Sequence, residues 1–155
     1  MSLELKVYSL EFIEKSSNMA LLKKLQLGDN QSGRYTKEYL LSDFKCHTHR
    51  LHNEYRPEAD KYCDSIDLTV IAPGREDMQL YEWFIRQSTL NGRLLIQLPP
   101  KPNQSEPDCQ EIIFEEAKCF SFEEEYHINR NQRRMLRLRF VAEQVNFNGI
   151  IFKRQ

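Results

Sequence analysis

Residues 109–152 carry the longest run of alternating apolar and polar side chains in the chain, and they read as two long antiparallel strands. In the leading half, Ile112 and Phe114, then Cys119, Phe120 and Phe122, near-alternate with Glu and Lys. That is the two-residue period of a strand, not the helical period of about 3.6. Glu115 and Glu116 stand side by side, so the register shifts around residues 115–117, and a β-bulge is the simplest cause. A polar turn at Asn129-Arg130-Asn131 leads into a cleaner returning half, where Leu136, Leu138 and Phe140 face one way and Arg137 and Arg139 the other. At ~3.3 Å per residue, a strand of about a dozen residues spans roughly 40 Å and needs a partner surface along its length. Unpaired edges this long invite pairing, and a closed ring of subunits meeting through strand edges consumes them safely.

Upstream, Leu3, Leu5 and Val7 alternate and change phase at Ser9-Leu10, which predicts a first strand over residues 3–13. Residues 16–28 read two ways. Ser17 caps a short helix carrying Leu21, Leu22 and Leu25, or Leu25-Gln26-Leu27 alternates as a strand; the strand is preferred. Residues 28–33 are a loop by composition. Residues 35–49 return to extended character, with Phe44, Cys46 and Thr48 on one side and Lys45, His47 and His49 on the other. Residues 64–71 form a strand with Ile66, Leu68 and Val70 on one face. One helix is predicted over residues 77–90, acidic at Asp77 and stopped by Asn91-Gly92. Its core face is Met78, Tyr81, Phe84 and Ile85, widened by Leu80 and Trp83. Residues 93–98 give another strand, and the proline-rich residues 99–107 project as a loop. The tally of six to eight strands and one helix predicts a mainly β barrel or sandwich, closed on one side by the helix, with residues 1–155 as a single domain.

Composition excludes several functions. Charged residues make up 29% of the chain but the net charge is −1, so no basic field favours nucleic acid or an anionic membrane. The first residues, Met-Ser-Leu-Glu-Leu-Lys, lack a basic flank with an apolar run, and no apolar stretch approaches the ~18 residues of a membrane span. Synthesis in the cytoplasm is expected. Cys46, Cys63, Cys109 and Cys119 show no C-x-x-C spacing, and packed, reduced thiols are the expectation. No Gly-x-Ser-x-Gly elbow is present, and Cys119 and His127 lie too far apart along one strand to act together. On an extended strand His47 and His49 point the same way and are the candidate metal ligands, but Cys46 points to the other face and the spacing matches no usual four-ligand site. Solvated or interface histidines are the plainer reading. Glu115, Glu116 and Glu123 to Glu125 lack the Asp-rich loop of a calcium site. They complement Arg130, Arg133, Arg134, Arg137 and Arg139, across the hairpin or on an adjacent subunit.

The ordered set of a Tyr81-Glu82-Trp83-Phe84 helix, a 90–96 strand, the Glu111-Ile-Ile-Phe-Glu-Glu-Ala-Lys-Cys119 strand and a closing strand ending at Asn148-Gly149-Ile150 resembles the haemolysin-coregulated tube proteins of type VI secretion. The branch found in Bacteroidetes is the most similar, and the likeness covers roughly residues 39–152. Tyr55-Arg56-Pro57 stands where members of that branch carry a Gly-Arg-Pro turn, a departure that admits a tube-associated paralogue as well as a main-tube subunit. The resemblance implies a two-sheet antiparallel β-barrel with a flanking helix and no enzymatic activity or cofactor. It also implies hexameric rings stacked into a tube, partnered by contractile sheath, spike and effector proteins, and secreted on firing without a cleaved signal peptide. Residues 50–62 are polar and lack a period, and Arg50, Tyr55, Arg56, Pro57 and Tyr62 are residue types that suit an interface. In tube proteins of this kind the loop at this place reaches from one ring to the next. The competing expectation is a monomeric barrel that binds a metal or a small ligand.

Overall fold

The computed structural model describes residues 22–50, 61–98, 102–103, 109–127 and 133–154. Among them the order is β1 (Leu22–Asp29), β2 (Arg34–Arg50), β3 (Lys61–Ile71), α1 (Gln79–Arg86), β4 (Leu90–Gln97), β5 (Cys109–His127), β6 (Arg133–Phe147) and β7 (Ile150–Lys153). The strands close into a barrel in the order β1-β2-β3-β7-β6-β5-β4, with β3 also pairing with β6. Neighbours are antiparallel except β3 and β7, which run parallel and meet at Tyr62 and Lys153. The mainly β barrel with one helix agrees with the sequence patterns, and β1 takes the strand alternative for its part of residues 16–28. The strand predicted over residues 3–13 and the Asn129-Arg130-Asn131 turn lie outside the described residues. β7 is an addition. Asn148 and Gly149, at φ of 51° and 94°, turn the chain back so that Ile150 pairs with Phe147.

Three long strands each serve two sheets. β2 pairs with β1 up to Leu41 and with β3 from Leu41 onward. β5 pairs with β4 from Cys109 to Ala117, while β6 runs beside it from Ile112 to His127. β6 in turn pairs with β3 through Met135 to Phe140 and with β7 through Gln144 to Phe147. One sheet therefore holds β1, β4, β7 and the near halves of β2, β5 and β6. The other is β2-β3-β6-β5, made from the far halves together with β3.

Bulges let the long strands turn from one sheet to the other. A strand puts alternate residues on one face, so buried positions should step by two; a bulge makes the step three. On β5 the inward residues run Ile112 and Phe114, then Ala117 and Cys119, then Phe122. The first long step is the bulge expected at residues 115–117. Glu116 sits there at φ 52°, and its N–H is held by Asn91 Oδ1 at 2.7 Å. On β2, Tyr39 and Leu41 give way to Phe44 and Cys46 across a register shift at Ser42, and on β3 Cys63 gives way to Ile66 across Asp64. The interior they enclose is aromatic at its centre, with the Phe114 and Phe140 rings 4.8 Å apart. Gly92 is required by closeness, because a Cβ there would lie 2.3 Å from the Gln26 carbonyl oxygen and 3.0 Å from the Phe114 ring.

The helix is shorter than residues 77–90 and turned from its predicted face. It spans Gln79–Arg86 and is ended by Gln87 in the left-handed region at φ 52°. Asp77 precedes it, accepting from the Gln79 N–H at 3.2 Å. Leu80 and Trp83 are the buried residues, at 2% and 1% exposure. Tyr81 and Phe84, two of the four predicted face residues, are half-buried on Phe122, at 4.5 and 5.8 Å between ring centroids. The other two correct the prediction: Met78 is 48% exposed and Ile85 70% exposed. At about 100° per residue both fall on the side opposite Leu80, so the helix cannot bury all four and Trp83 too. The indole wins, packing on Phe140 at 5.3 Å and donating its N–H to the Ala117 carbonyl at 2.9 Å.

Candidate functional site

The β2-β3-β6-β5 sheet has two ends without a ladder partner among the described residues. β1 stops pairing with β2 at Leu41, so β2 from Asp43 to His49 has β3 on one side and no strand on the other. β4 stops at Ala117, so β5 from Lys118 to Phe122 has β6 alone. On the β5 side the cause is that β4 begins at Leu90, opposite Ala117, while β5 runs on to His127. Unpaired N–H and C=O rows of this kind are templates for another strand.

The outward face of the same sheet is charged and hollowed. A cleft of about 470 Å³ is lined by Asp43, Lys45, Asp67, Glu123, Arg137 and Arg139 with neighbouring residues. Cross-strand ion pairs organise it. Asp67 on β3 sits between His47 of β2, whose Nε2 is 3.0 Å from Oδ2, and Arg139 of β6, whose Nε is 3.0 Å from Oδ1. Asp67 Oδ1 is buried and has no hydrogen bond of good angle, so the Arg139 charge balances it. On the hairpin, Arg134 pairs with Glu124 at 3.2 Å and Arg137 with Glu125 at 3.5 Å. The acidic and basic runs thus meet within the chain at these positions, while Arg139 turns instead to β3.

His47 and His49, the candidate metal ligands, are engaged separately. His49 Nδ1 lies 2.9 and 3.1 Å from the two Asp64 carboxylate oxygens, and its ring stacks on Tyr62 at 5.3 Å. Each imidazole has its own carboxylate across the β2–β3 ladder. Among the described residues no group of three or more His, Cys, Asp or Glu side chains is arranged to hold a metal ion. Of the residues predicted as a loop over 50–62, Arg50 ends β2 and Tyr62 belongs to β3, where it pairs with His49 in the ladder. Tyr55, Arg56 and Pro57 lie outside the described residues.

Burial pushes the Cys46 thiol up to about 12, with Cys63 and Asp67 adding to it, and raises Cys63 and Cys119 to about 11. Such thiols stay protonated at neutral pH and are poor nucleophiles. Cys109 is exposed.

Two polar clusters were not visible in the sequence. Arg93 donates to Glu111 at 2.6 Å and to Gln26 at 2.7 Å, and lies over the Tyr35 ring at 4.4 Å, joining four strands on the outside of the first sheet. Asp77 accepts from Lys37 at 3.0 Å and from the Tyr39 hydroxyl at 3.0 Å, tying the start of the helix to β2. Partners so far apart in sequence leave no local signal.

No curated protein sequence matches the chain significantly. Solved structures do match its fold. Hcp1 from Flavobacterium johnsoniae superposes with a TM-score of 0.60 at 16% identity, covering 85% of this chain and 98% of that one. The secreted protein Hcp3 from Pseudomonas aeruginosa gives 0.60 at 7% identity, covering 88% and 99%. Hcp1 from Salmonella typhimurium gives 0.58 at 9%, covering 81% and 85%. The sequence profile of the hemolysin coregulated protein Hcp (TssD) matches residues 19–155, which takes in every described strand from β1 to β7. The chain belongs to the Hcp (TssD) family.

Proposed function

We propose that copies of this chain close into a ring, a hexamer, by joining the open β2 edge of one copy to the open β5 edge of the next, and that the rings stack into an effector-carrying tube. Hcp proteins are structural tube subunits of type VI secretion rather than enzymes, and this chain is of that kind. The observation that carries the ring is the pair of edges, at opposite ends of one four-stranded sheet, that have no ladder partner among the described residues. A contact between two different edges is head-to-tail, and it closes when the rotation between copies divides the circle. Lys45 on the β2 edge and Glu123 on β5 are of opposite sign and suit that sense, whereas His47, His49 and Glu124 already have partners within the chain.

In such a ring the β2-β3-β6-β5 sheets form a continuous belt whose charged clefts face the lumen, where an effector would lie. Residues 51–60, between β2 and β3, reach from one ring to the next. Sheath and spike proteins are the outer partners. No helix among the described residues is long and apolar enough to cross a membrane.

The test is a charge exchange read by light scattering and electron microscopy. Lys45→Glu and Glu123→Lys, each alone, place like charges across the seam and weaken the ring, and the double variant restores it. A wild-type chain that stays monomeric at tens of micromolar, without rings in micrographs, defeats the proposal. Replacing residues 51–60 by a Gly-Ser linker abolishes stacking and leaves rings intact; loss of the rings themselves would remove that role from the loop.

A further inference from the structure

Two Asn-Gly steps occur in the sequence, Asn91-Gly92 and Asn148-Gly149. In such a step the glycine nitrogen can attack the Asn side-chain carbonyl carbon, because no Cβ on the following residue hinders the approach. The attack expels ammonia and closes a five-membered succinimide, and water then opens the ring at either carbonyl to leave aspartate or isoaspartate. Three things are needed: a glycine N–H free to lose its proton, a peptide free to rotate until the nitrogen meets the Asn Cγ, and access for water.

The fold withholds rotation and water at Asn91. Gly92 is buried in the ladder between Leu27 and Phe114, and Asn91 Oδ1 is engaged by the Glu116 N–H at 2.7 Å. Asn148 is placed differently. Asn148 and Gly149 are both exposed, and a Cβ added to Gly149 would meet nothing within 4 Å. Neither residue has a ladder partner, since they form the turn beyond Phe147 and Ile150, the last pair of β6 and β7. What restrains them is one side chain. The Gly149 N–H donates to Asn146 Oδ1 at 2.6 Å. That bond keeps the proton on the nitrogen and holds the peptide in the left-handed turn, at φ of 51° and 94°, that an Asn-Gly hairpin adopts.

We infer that Asn148 is a site of spontaneous deamidation and that the Asn146 side chain guards it. The conversion consumes one water, releases one ammonia and turns a neutral amide into a carboxylate, with no oxidant or enzyme required. In the isoaspartate product the main chain gains a methylene, so the two-residue turn no longer fits its hairpin. β7 has only four pairs with β6 and one with β3, and it loosens where it closes the barrel. The Phe147–Phe152 contact, 4.7 Å between ring centroids, lies next to the turn and is the first packing to go. None of this depends on the ring reading.

Trypsin separates the two steps, since cleavage after Arg86, Arg93, Arg139 and Lys153 releases residues 87–93 with Asn91 and residues 140–153 with Asn148. Full-length wild type, Asn146→Ala and Asn146→Asp are incubated at mildly alkaline pH, checked for fold by circular dichroism, and digested for mass spectrometry with fragmentation that tells isoaspartate from aspartate. In wild type, acid accumulates at Asn148 while Asn91 stays an amide. Asn146→Ala converts roughly tenfold faster, the factor that loss of one hydrogen bond carries. Asn146→Asp keeps a side-chain oxygen for the Gly149 N–H and returns to the wild-type rate. In urea, Asn91 and Asn148 convert at comparable rates, which makes the fold the cause of their difference. Equal rates in wild type and Asn146→Ala, or an Asn146→Asp chain as fast as Asn146→Ala, overturn the guard. Asn91 converting ahead of Asn148 in the native chain, aspartate without isoaspartate, or no conversion at Asn148 in Asn146→Ala overturns the site.

Discussion

The indole N–H of Trp83 donates to the carbonyl of Ala117, 2.9 Å away, and Ala117 is the first inward residue after the β5 bulge at Glu116. The bond ties the one helix to the place where β5 passes from one sheet to the other. Both partners are buried, so the carbonyl has no water to fall back on.

Trp83→Phe therefore costs about 1–3 kcal/mol through the orphaned Ala117 carbonyl. Trp83→Ala adds a cavity and costs about 3–5 kcal/mol. Ile85→Ser, on the exposed side of the same helix, stays within about 0.5 kcal/mol of wild type. Urea denaturation of the three variants measures the differences; an Ile85→Ser loss as large as that of Trp83→Phe would put the helix in the wrong rotation.

Gly92→Ala pushes a methyl against the Gln26 carbonyl and the Phe114 ring. The backbone neighbour cannot swing away as a flexible side chain would, and the expected loss is about 1–3 kcal/mol. A midpoint in urea unchanged from wild type would show that β1 and β4 are further apart than described.

Asp77 sets part of the acid limit. Its partial burial raises the carboxyl pKa, but the Lys37 bond, the Gln79 N–H and the Tyr39 hydroxyl outweigh that and hold it below the ordinary 3.8. The unfolded chain thus takes up this proton first on acidification. The stabilisation is present in full above the unfolded value and is lost as pH falls below about 4 through the folded value. Melting temperatures of wild type and Asp77→Asn between pH 6 and pH 3 should converge toward the acid end. Parallel curves would remove Asp77 from the acid response.

The metal-binding alternative makes its own demand. Each of His47 and His49 is already bonded to a separate carboxylate, and zinc would have to break both pairs to gather two nitrogens. Zinc added at about ten times the protein concentration should move the melting temperature by less than about 1 °C, and His47→Ala should not change that. A rise of several degrees that His47→Ala removes would revive the ligand-binding barrel.

Much of the framework was legible because a strand writes its period into adjacent residues. Ile66, Leu68 and Val70, or Leu136, Leu138 and Phe140, could hardly be read otherwise, and Glu115 beside Glu116 betrayed the bulge. The helix was harder to read. Met78, Leu80, Tyr81, Trp83, Phe84 and Ile85 surround most of its circumference, and nothing local says that the Trp83 N–H has an acceptor on one side. The Arg93 and Asp77 clusters were silent because each gathers residues from separate elements. The open β5 edge is also a matter of comparison, since it follows from β4 beginning opposite Ala117 while β5 continues.

The bulges that reset the inward face of β2, β3 and β5 have a consequence for descent. Because the phase of each long strand restarts at the bulge, a substitution that alters the pattern on one side leaves the other side free to keep its own. A single-residue insertion or deletion, ruinous in an unbroken strand, can be absorbed at these joints by tightening or loosening a kink that already exists. The two sheets can diverge as separate texts while the strands that bind them stay continuous. That freedom gives a physical route by which one shape persists at 7% to 16% identity.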